Sequence, residues 1–167
     1  MRLVVADTGP LNYLVLIEQI EILPALFENV FVPQAVRDEL RHQDAPEIVR
    51  HWIAEPPSWV EIVALTAGND QPALRRLDEG ERAAIQLAAQ IGADLVLIDE
   101  REGAAVARSM GFAVTGTLGI LDLAAYRGLL ALGEAPERLK ATSFRCRPEI
   151  MDALLARHAE GEGKDEE

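Results

Sequence analysis

Four carboxylates stand in this sequence where a solvated charge is not the first expectation. Asp7 ends the apolar run Leu3-Val4-Val5-Ala6, and Asp99 ends Leu95-Val96-Leu97-Ile98. Short apolar runs with β-branched residues read as buried strands, which puts each acid at a strand's carboxyl end. In open α/β sheets that edge is where ligands and reacting groups collect. Glu39 follows Ala35 by four residues and Val36 by three, so it shares their helical face. Glu81 precedes Ala84 and Ile85 by three and four residues, again on the apolar side. If the two strands pair directly, Asp7 and Asp99 lie only about 5 Å apart laterally. Neighbouring like charges raise one another's pKa, and a divalent cation resolves the conflict. Mg²⁺ and Mn²⁺ accept oxygen ligands, and one or two carboxylates plus waters make a Mg²⁺ site. Carboxylates clustered around such an ion are the equipment of phosphodiester hydrolysis, where the ion activates water and neutralises charge on the phosphate.

Each acid also has a plainer reading. Asp78-x-x-Glu81 has the form of a capping box, as does Asp99-x-x-Glu102. Asp7 can cap the helix that begins near Pro10, and Glu39 can pair with Arg37 or Arg41 on a wet face. Which of Asp78, Glu79 and Glu81 turns inward stays open at this point. Taken together, two acids at strand ends and two on apolar helix faces favour a shared site. Other chemistries find less support. His42, His51 and His158 have neither His-Glu-x-x-His spacing nor a nearby Cys, so zinc is not indicated, and they read as surface residues. A Gly-x-Ser-x-Gly elbow and a Gly-x-x-x-x-Gly-Lys phosphate loop are both missing; Gly116-Thr117-Leu118-Gly119 reads as a helix start. Arg37, Arg41 and Arg101 neighbour the proposed acids and are candidates for contacting phosphates, although ion pairing with those acids competes. Trp52 and Trp59 read as packing residues, and Asp122, mid-helix among apolar residues, as a surface or interface position.

These groups need a scaffold that brings distant segments together. After the strand at 3–6, a helix is expected over 11–17, opened by Pro10, and a second over 21–27. A strand at 30–32, helices over 34–41 and 46–54, and a one-faced strand at 59–63 follow. Residues 66–72 are turn-like. An Ala-rich helix over 78–91 closes on Gly92, followed by the strand at 95–98, a helix over 102–110 stopped by Gly111, and a strand at 112–114. Helices over 119–130, 136–141 and 148–158 complete the chain. Short strands alternating with helices imply an α/β fold whose mainly parallel sheet is covered on both faces.

Composition sets the outer bounds. The 167 residues suit one domain over 1–159 with an acidic, disordered tail at 160–167. The net charge is −12; the tail holds five acids against one Lys, which leaves −8 for the rest. So acidic a body is no general nucleic-acid coat, since sequence-independent binding depends on neutralising phosphates. Nucleic acid would need a local basic patch and metal ions; otherwise the main partner is basic. The single Cys146 rules out an internal disulfide and fits a reducing compartment. No apolar run approaches the roughly 20 residues of a membrane helix, and the start has no signal-peptide pattern. A soluble cytoplasmic protein is expected.

Five segments together carry a family resemblance: Val5-Ala6-Asp7-Thr8-Gly9-Pro10-Leu11, Val32-Pro33-Gln34-Ala35-Val36-Arg37-Asp38-Glu39-Leu40, Leu77-Asp78-Glu79-Gly80-Glu81-Arg82-Ala83-Ala84-Ile85-Gln86-Leu87-Ala88, Leu97-Ile98-Asp99-Glu100-Arg101 and Gly116-Thr117-Leu118-Gly119-Ile120-Leu121. In this order the chain resembles the PIN-domain nucleases, most closely a VapC-like branch. The resemblance implies a three-layer α/β/α sandwich and a Mg²⁺- or Mn²⁺-dependent endoribonuclease. It puts the family's acids on Asp7, Glu39, Glu81 and Asp99, with Asp7 and Asp99 as direct ligands and Glu39 and Glu81 binding the metal or its waters. Thr8 and Thr117 match hydroxyl positions that support the ligands. Many relatives carry Asp where this chain has Glu81. The resemblance further implies single-stranded or loop RNA as substrate, a homodimer, and a small antitoxin, as in a VapBC-type pair, whose basic segment docks on the acids. The alternative is a catalytically silent PIN-like scaffold for a protein partner. A haloacid-dehalogenase reading needs a second Asp two residues after Asp7, where this chain has Gly9.

Overall fold

The computed structural model of the chain describes residues 2–66, 71–130 and 134–162, with side chains to residue 159. Strands β1 (Val4–Ala6), β2 (Val30–Pro33), β3 (Val60–Val63), β4 (Leu95–Leu97) and β5 (Ala113–Thr115) form one sheet in the order β3-β2-β1-β4-β5. Every neighbouring pair is parallel. The connections run outward from β1 through β2 to β3, then cross to β4 and β5 on the other side. The direction therefore reverses between β1 and β4, and a crevice opens beyond their carboxyl ends. Asp7 and Asp99 follow those two strands.

The two-residue period of a strand divides the core between the faces of the sheet. Val4, Ala6, Val30, Val32 and Leu97 pack with α1 (Thr8–Leu16), α2 (Ile22–Phe27), α3 (Gln34–Arg41), α4 (Glu47–Ala54), α7 (Thr117–Tyr126), α8 (Ala135–Lys140) and α9 (Pro148–Glu162). Val5, Val96 and Ile98 point the other way, onto Ala84, Leu87 and Ala88 of α5 (Glu79–Ile91) and Ala104 of α6 (Arg101–Ser109). The result is the expected α/β/α sandwich. α5 ends on Gly92, whose φ of 68° is the left-handed conformation that glycine adopts without a Cβ clash.

Several boundaries differ from the sequence reading. α1 begins at Thr8 rather than near Pro10, because the first turn's N–H groups lack partners in any helix and Pro10 fits anywhere in that turn. α7 begins at Thr117 and stops at Tyr126, ahead of Gly128 with φ 71°. A 3₁₀ turn occupies Pro72–Arg76; of the expected turn at 66–72, residues 67–70 lie outside the described residues. α9 continues to Glu162, so the first residues of the expected tail are helical, in keeping with cooperative helix propagation. Residues 163–167 lie outside the described residues.

His158 is also placed differently, whereas Asp122 sits half-exposed between helices, in keeping with the interface position expected of it. His158 Nε2 meets Asp122 Oδ1 at 2.7 Å, and its side chain is only 17% exposed, so the pair pins α9 to α7. The apolar face shared by these helices brings the two polar groups together. Trp52 and Trp59 pack as expected, their rings 6.0 Å apart. No helix among the described residues is long and apolar enough to cross a membrane.

Candidate metal centre

Asp7, Glu39, Glu81 and Asp99 line one cavity of about 550 Å³ at the crevice between β1 and β4. Each arrives from a different element. The register β1–β4 pairs Ala6 with Leu97, so Asp7 comes opposite Ile98 and Asp99 projects one residue further along. The two acids are thus staggered rather than side by side. Asp7 is 5% exposed, occupies the N-cap position of α1, and makes no cap hydrogen bond with its side chain. Its Oδ1 is buried with no hydrogen-bond partner among the described residues. A buried carboxylate oxygen left unpaired costs free energy that a bound cation would offset.

Asp99 and Glu39 are held by helix starts. Asp99 accepts from the Thr117 backbone N–H at 2.6 Å and from its hydroxyl at 2.7 Å, which ties the end of β4 to the start of α7. Glu39 accepts from the Gly80 N–H at 3.1 Å and from the Thr8 hydroxyl, which ties α3 to α5 and α1. Asp78 caps α5 by accepting from the Glu81 N–H at 2.8 Å, so the capping reading of this motif holds for Asp78. Glu81 is nonetheless buried against the cavity, while Glu79 is exposed and turns to a neighbouring groove. Glycines make these approaches possible, Gly80 and Gly116 most closely. A Cβ on Gly80 would sit 2.5 Å from Glu39 Oε1, and one on Gly116 would sit 2.6 Å from Asp99 Oδ1.

The protonation state follows from this burial. Asp7 is pushed up to about 8, first by desolvation, with Asp78, Glu39 and Glu81 adding repulsion and the Thr8 N–H working against it. Burial is therefore the main cause, and repulsion between Asp7 and Asp99, expected from the strands alone, is not. Glu81 rises to about 7 through desolvation and the charge of Asp78. Asp99 is also raised by burial, against the two Thr117 bonds.

The donor set fits a hard divalent cation: the crevice offers carboxylate and hydroxyl oxygens, and among the described residues no thiol or imidazole lines it. Among the described residues no three or more His, Cys, Asp or Glu are drawn together tightly enough to hold an ion by themselves. Such a site suits an ion that keeps several waters and takes one or two carboxylates directly.

Residues 3–160 match a family model described as a PIN domain. The chain is a PIN-domain protein. No curated protein matches it significantly. PIN domains form a nuclease family that typically depends on divalent metal, and the sheet and its flanking helices are those of that fold.

In this PIN domain, Arg101 borders the cavity, whereas Arg37 and Arg41 do not. Arg37 turns to its neighbour Asp38 at 3.1 Å, which removes it from the acids of the crevice. A second wall of the cavity, made by Tyr13, Ser143, Phe144 and Arg145, lies outside the residues the sequence singles out. Tyr13 O–H and Ser143 Oγ lie 3.1 Å apart, and the Tyr13 and Phe144 rings meet edge to face at 5.1 Å. The short basic run Arg145-Cys146-Arg147 before α9 was the available signal.

Proposed function

We propose that this PIN domain is a Mg²⁺- or Mn²⁺-dependent endoribonuclease and the toxin of a VapBC-type pair. The observation that carries the reading is the buried, unpartnered Oδ1 of Asp7 in a crevice that Glu39, Glu81 and Asp99 also line. Asp7 and Asp99 would hold the ion; Glu39 and Glu81 would hold it or orient its waters. When bound, the ion supplies water activation and neutralises charge that develops on the phosphate. The protein's own contribution is positional. Thr117 aims Asp99 with two hydrogen bonds, and Gly80 and Thr8 aim Glu39, so these two carboxylates are oriented before substrate arrives. Arg101 stands at the rim, where a phosphate of the RNA would pass.

The acidic body suits a partner with a basic segment that docks over Asp7 and Asp99, the role an antitoxin would play. A homodimer and a cytoplasmic site of action complete the proposal on the strength of the family resemblance. The deciding experiment is cleavage of an RNA panel with and without Mn²⁺, comparing wild type with Asp7→Asn. Metal-dependent cutting lost in the variant is expected. Equal cutting by both would place the activity elsewhere.

A second reading, a silent scaffold for a protein partner, draws on the missing tight cluster of three carboxylates among the described residues. Titration with Mn²⁺ separates the two: a scaffold binds no ion at micromolar to millimolar levels, and the nuclease does.

A further inference from the structure

Two further cavities adjoin the acidic crevice, and their linings differ in charge. One, of about 560 Å³, shares Thr8 and Glu39 with the crevice and adds Asp38, Asp44, Glu79 and His42. Its acids repel a polyphosphate chain. The other, of about 320 Å³, shares Phe144 and Arg145 with the crevice and runs over Lys140, Cys146, Pro148 and Met151, with Asp152 at its edge. Here cationic ends stand beside apolar surface. The Arg145 guanidinium is held by the carbonyl oxygens of Phe144 at 3.2 Å and Thr142 at 3.5 Å, and by no carboxylate among the described residues. Among the described residues Lys140 pairs with Glu137 alone, at 3.5 Å on an exposed surface, a contact a phosphate can displace. Phe144 is half-buried, braced edge-on by Tyr13, and forms the shared wall of the two cavities.

We propose that the cavity beyond Phe144 is a nucleotide subsite for the single-stranded RNA residue next to the bond that is cut. The base lies against Phe144 and the apolar floor, because base–aromatic stacking tolerates any base. Arg145, which lines both cavities, contacts the scissile phosphate from the side away from the acids, and Lys140 takes the next phosphate along the strand. The strand leaves the crevice toward α8 and α9 rather than along α3 and α4. This gives so acidic a chain the local cationic track that phosphate binding demands. The proposal rests on the nuclease reading.

Two measurements test it, both in an Asp7→Asn background that keeps RNA intact. The first is anisotropy of a fluorescein-labelled single-stranded oligoribonucleotide across a salt series. Arg145→Ala is expected to weaken binding about ten-fold and lower the salt slope by about one. Phe144→Leu, which preserves apolar packing against Tyr13, is expected to weaken binding about ten-fold with the slope unchanged, and Phe144→Tyr to restore it. Tyr126→Ala, at a residue 83% exposed on α7, is the control and leaves binding as it was. The second is photocrosslinking of a 4-thiouridine-substituted oligonucleotide, with adducts expected in the peptide over residues 140–152. Adducts over residues 38–54 instead, or wild-type binding by both the Arg145 and Phe144 variants, overturn the subsite and leave the nuclease reading standing. Failure of the parent to bind any RNA overturns both, and binding of an acidic polypeptide in place of RNA assigns the cavity to a protein partner.

Discussion

At the scale of single residues, the site is a balance between acids that are satisfied and one that is not. Asp99 and Glu39 are each hydrogen-bonded by a helix start, whereas Asp7 Oδ1 has no partner among the described residues. Thr117 tests how much that orientation contributes. It is fully buried, and its hydroxyl and N–H both serve Asp99. Thr117→Val keeps the shape and the N–H but leaves Asp99 Oδ2 without the hydroxyl. The expected result is a 10- to 100-fold loss of metal affinity or cleavage, the usual effect of removing a group that orients a ligand. Stability should fall by about 1–3 kcal/mol for the buried acceptor left unmade. Thr117→Ser should recover most of the activity. Isothermal titration with Mn²⁺ and a thermal melt check both parts; an unchanged Mn²⁺ affinity in Thr117→Val would make Thr117 a cap residue and no more.

At the scale of elements, the acids work because helix starts come close enough to touch them. Gly80 lies in the first turn of α5, and Ala there would ordinarily stabilise the helix by roughly 0.5–1 kcal/mol. In this position the added Cβ meets Glu39 Oε1 at 2.5 Å and Cδ at 2.8 Å. The obstacle is the far end of a flexible side chain, so the fold survives and the carboxylate moves. Gly80→Ala should keep the melting temperature within roughly 4 °C of wild type while metal-dependent cleavage drops about ten-fold or more. Differential scanning calorimetry beside an RNA cleavage assay checks this, and full activity in the variant would remove Glu39 from the site. The strands and most helices were legible because apolar period and breakers are local signals: Val4-Val5-Ala6 before Asp7, Gly92 after α5. The four acids were legible for the same reason, Asp7 and Asp99 closing apolar strands and Glu39 and Glu81 sharing the apolar face of their helices. Register was not legible, and the one-residue stagger of Asp7 and Asp99 depends on it. Nor was the wall at Ser143 to Arg145, whose contact with Tyr13 spans 130 residues of chain; the basic run Arg145-Cys146-Arg147 marks its charge but not its partner. The Asp122–His158 pin was hidden likewise, since neither residue marks its partner in the sequence.

At the scale of the whole molecule, the sheet order buries several acids at one edge, and folding must hold protons there that the unfolded chain releases. Asp7 at about 8 and Glu81 at about 7 both lie above the ordinary values of 3.8 and 4.5, and Asp99 is raised in the same direction. Below the ordinary values both states are protonated, so stability is at its highest there and does not depend on pH through these groups. Between its ordinary and raised values each group keeps in the native state a proton that the unfolded chain has released, so stability falls as pH rises, by up to ~1.4 kcal/mol per pH unit. The fall runs over about pH 4 to 8 for Asp7 and about 4.5 to 7 for Glu81, with Asp99 acting in the same direction. A divalent cation binds the ionised carboxylates and so competes with those protons. The metal-free protein should therefore melt at progressively lower temperature from pH 5 to pH 8, and Mn²⁺ should raise the melting temperature little at pH 5 and most at pH 8. Asp7→Asn keeps a neutral group in the same buried place, so it should flatten the metal-free pH profile and shrink the response to Mn²⁺. Thermal melts in EDTA and in Mn²⁺ at each pH decide the matter. A metal-free protein that gained stability over this range would mean that the acids are ionised and already paired, and the crevice would then have no need of a cation.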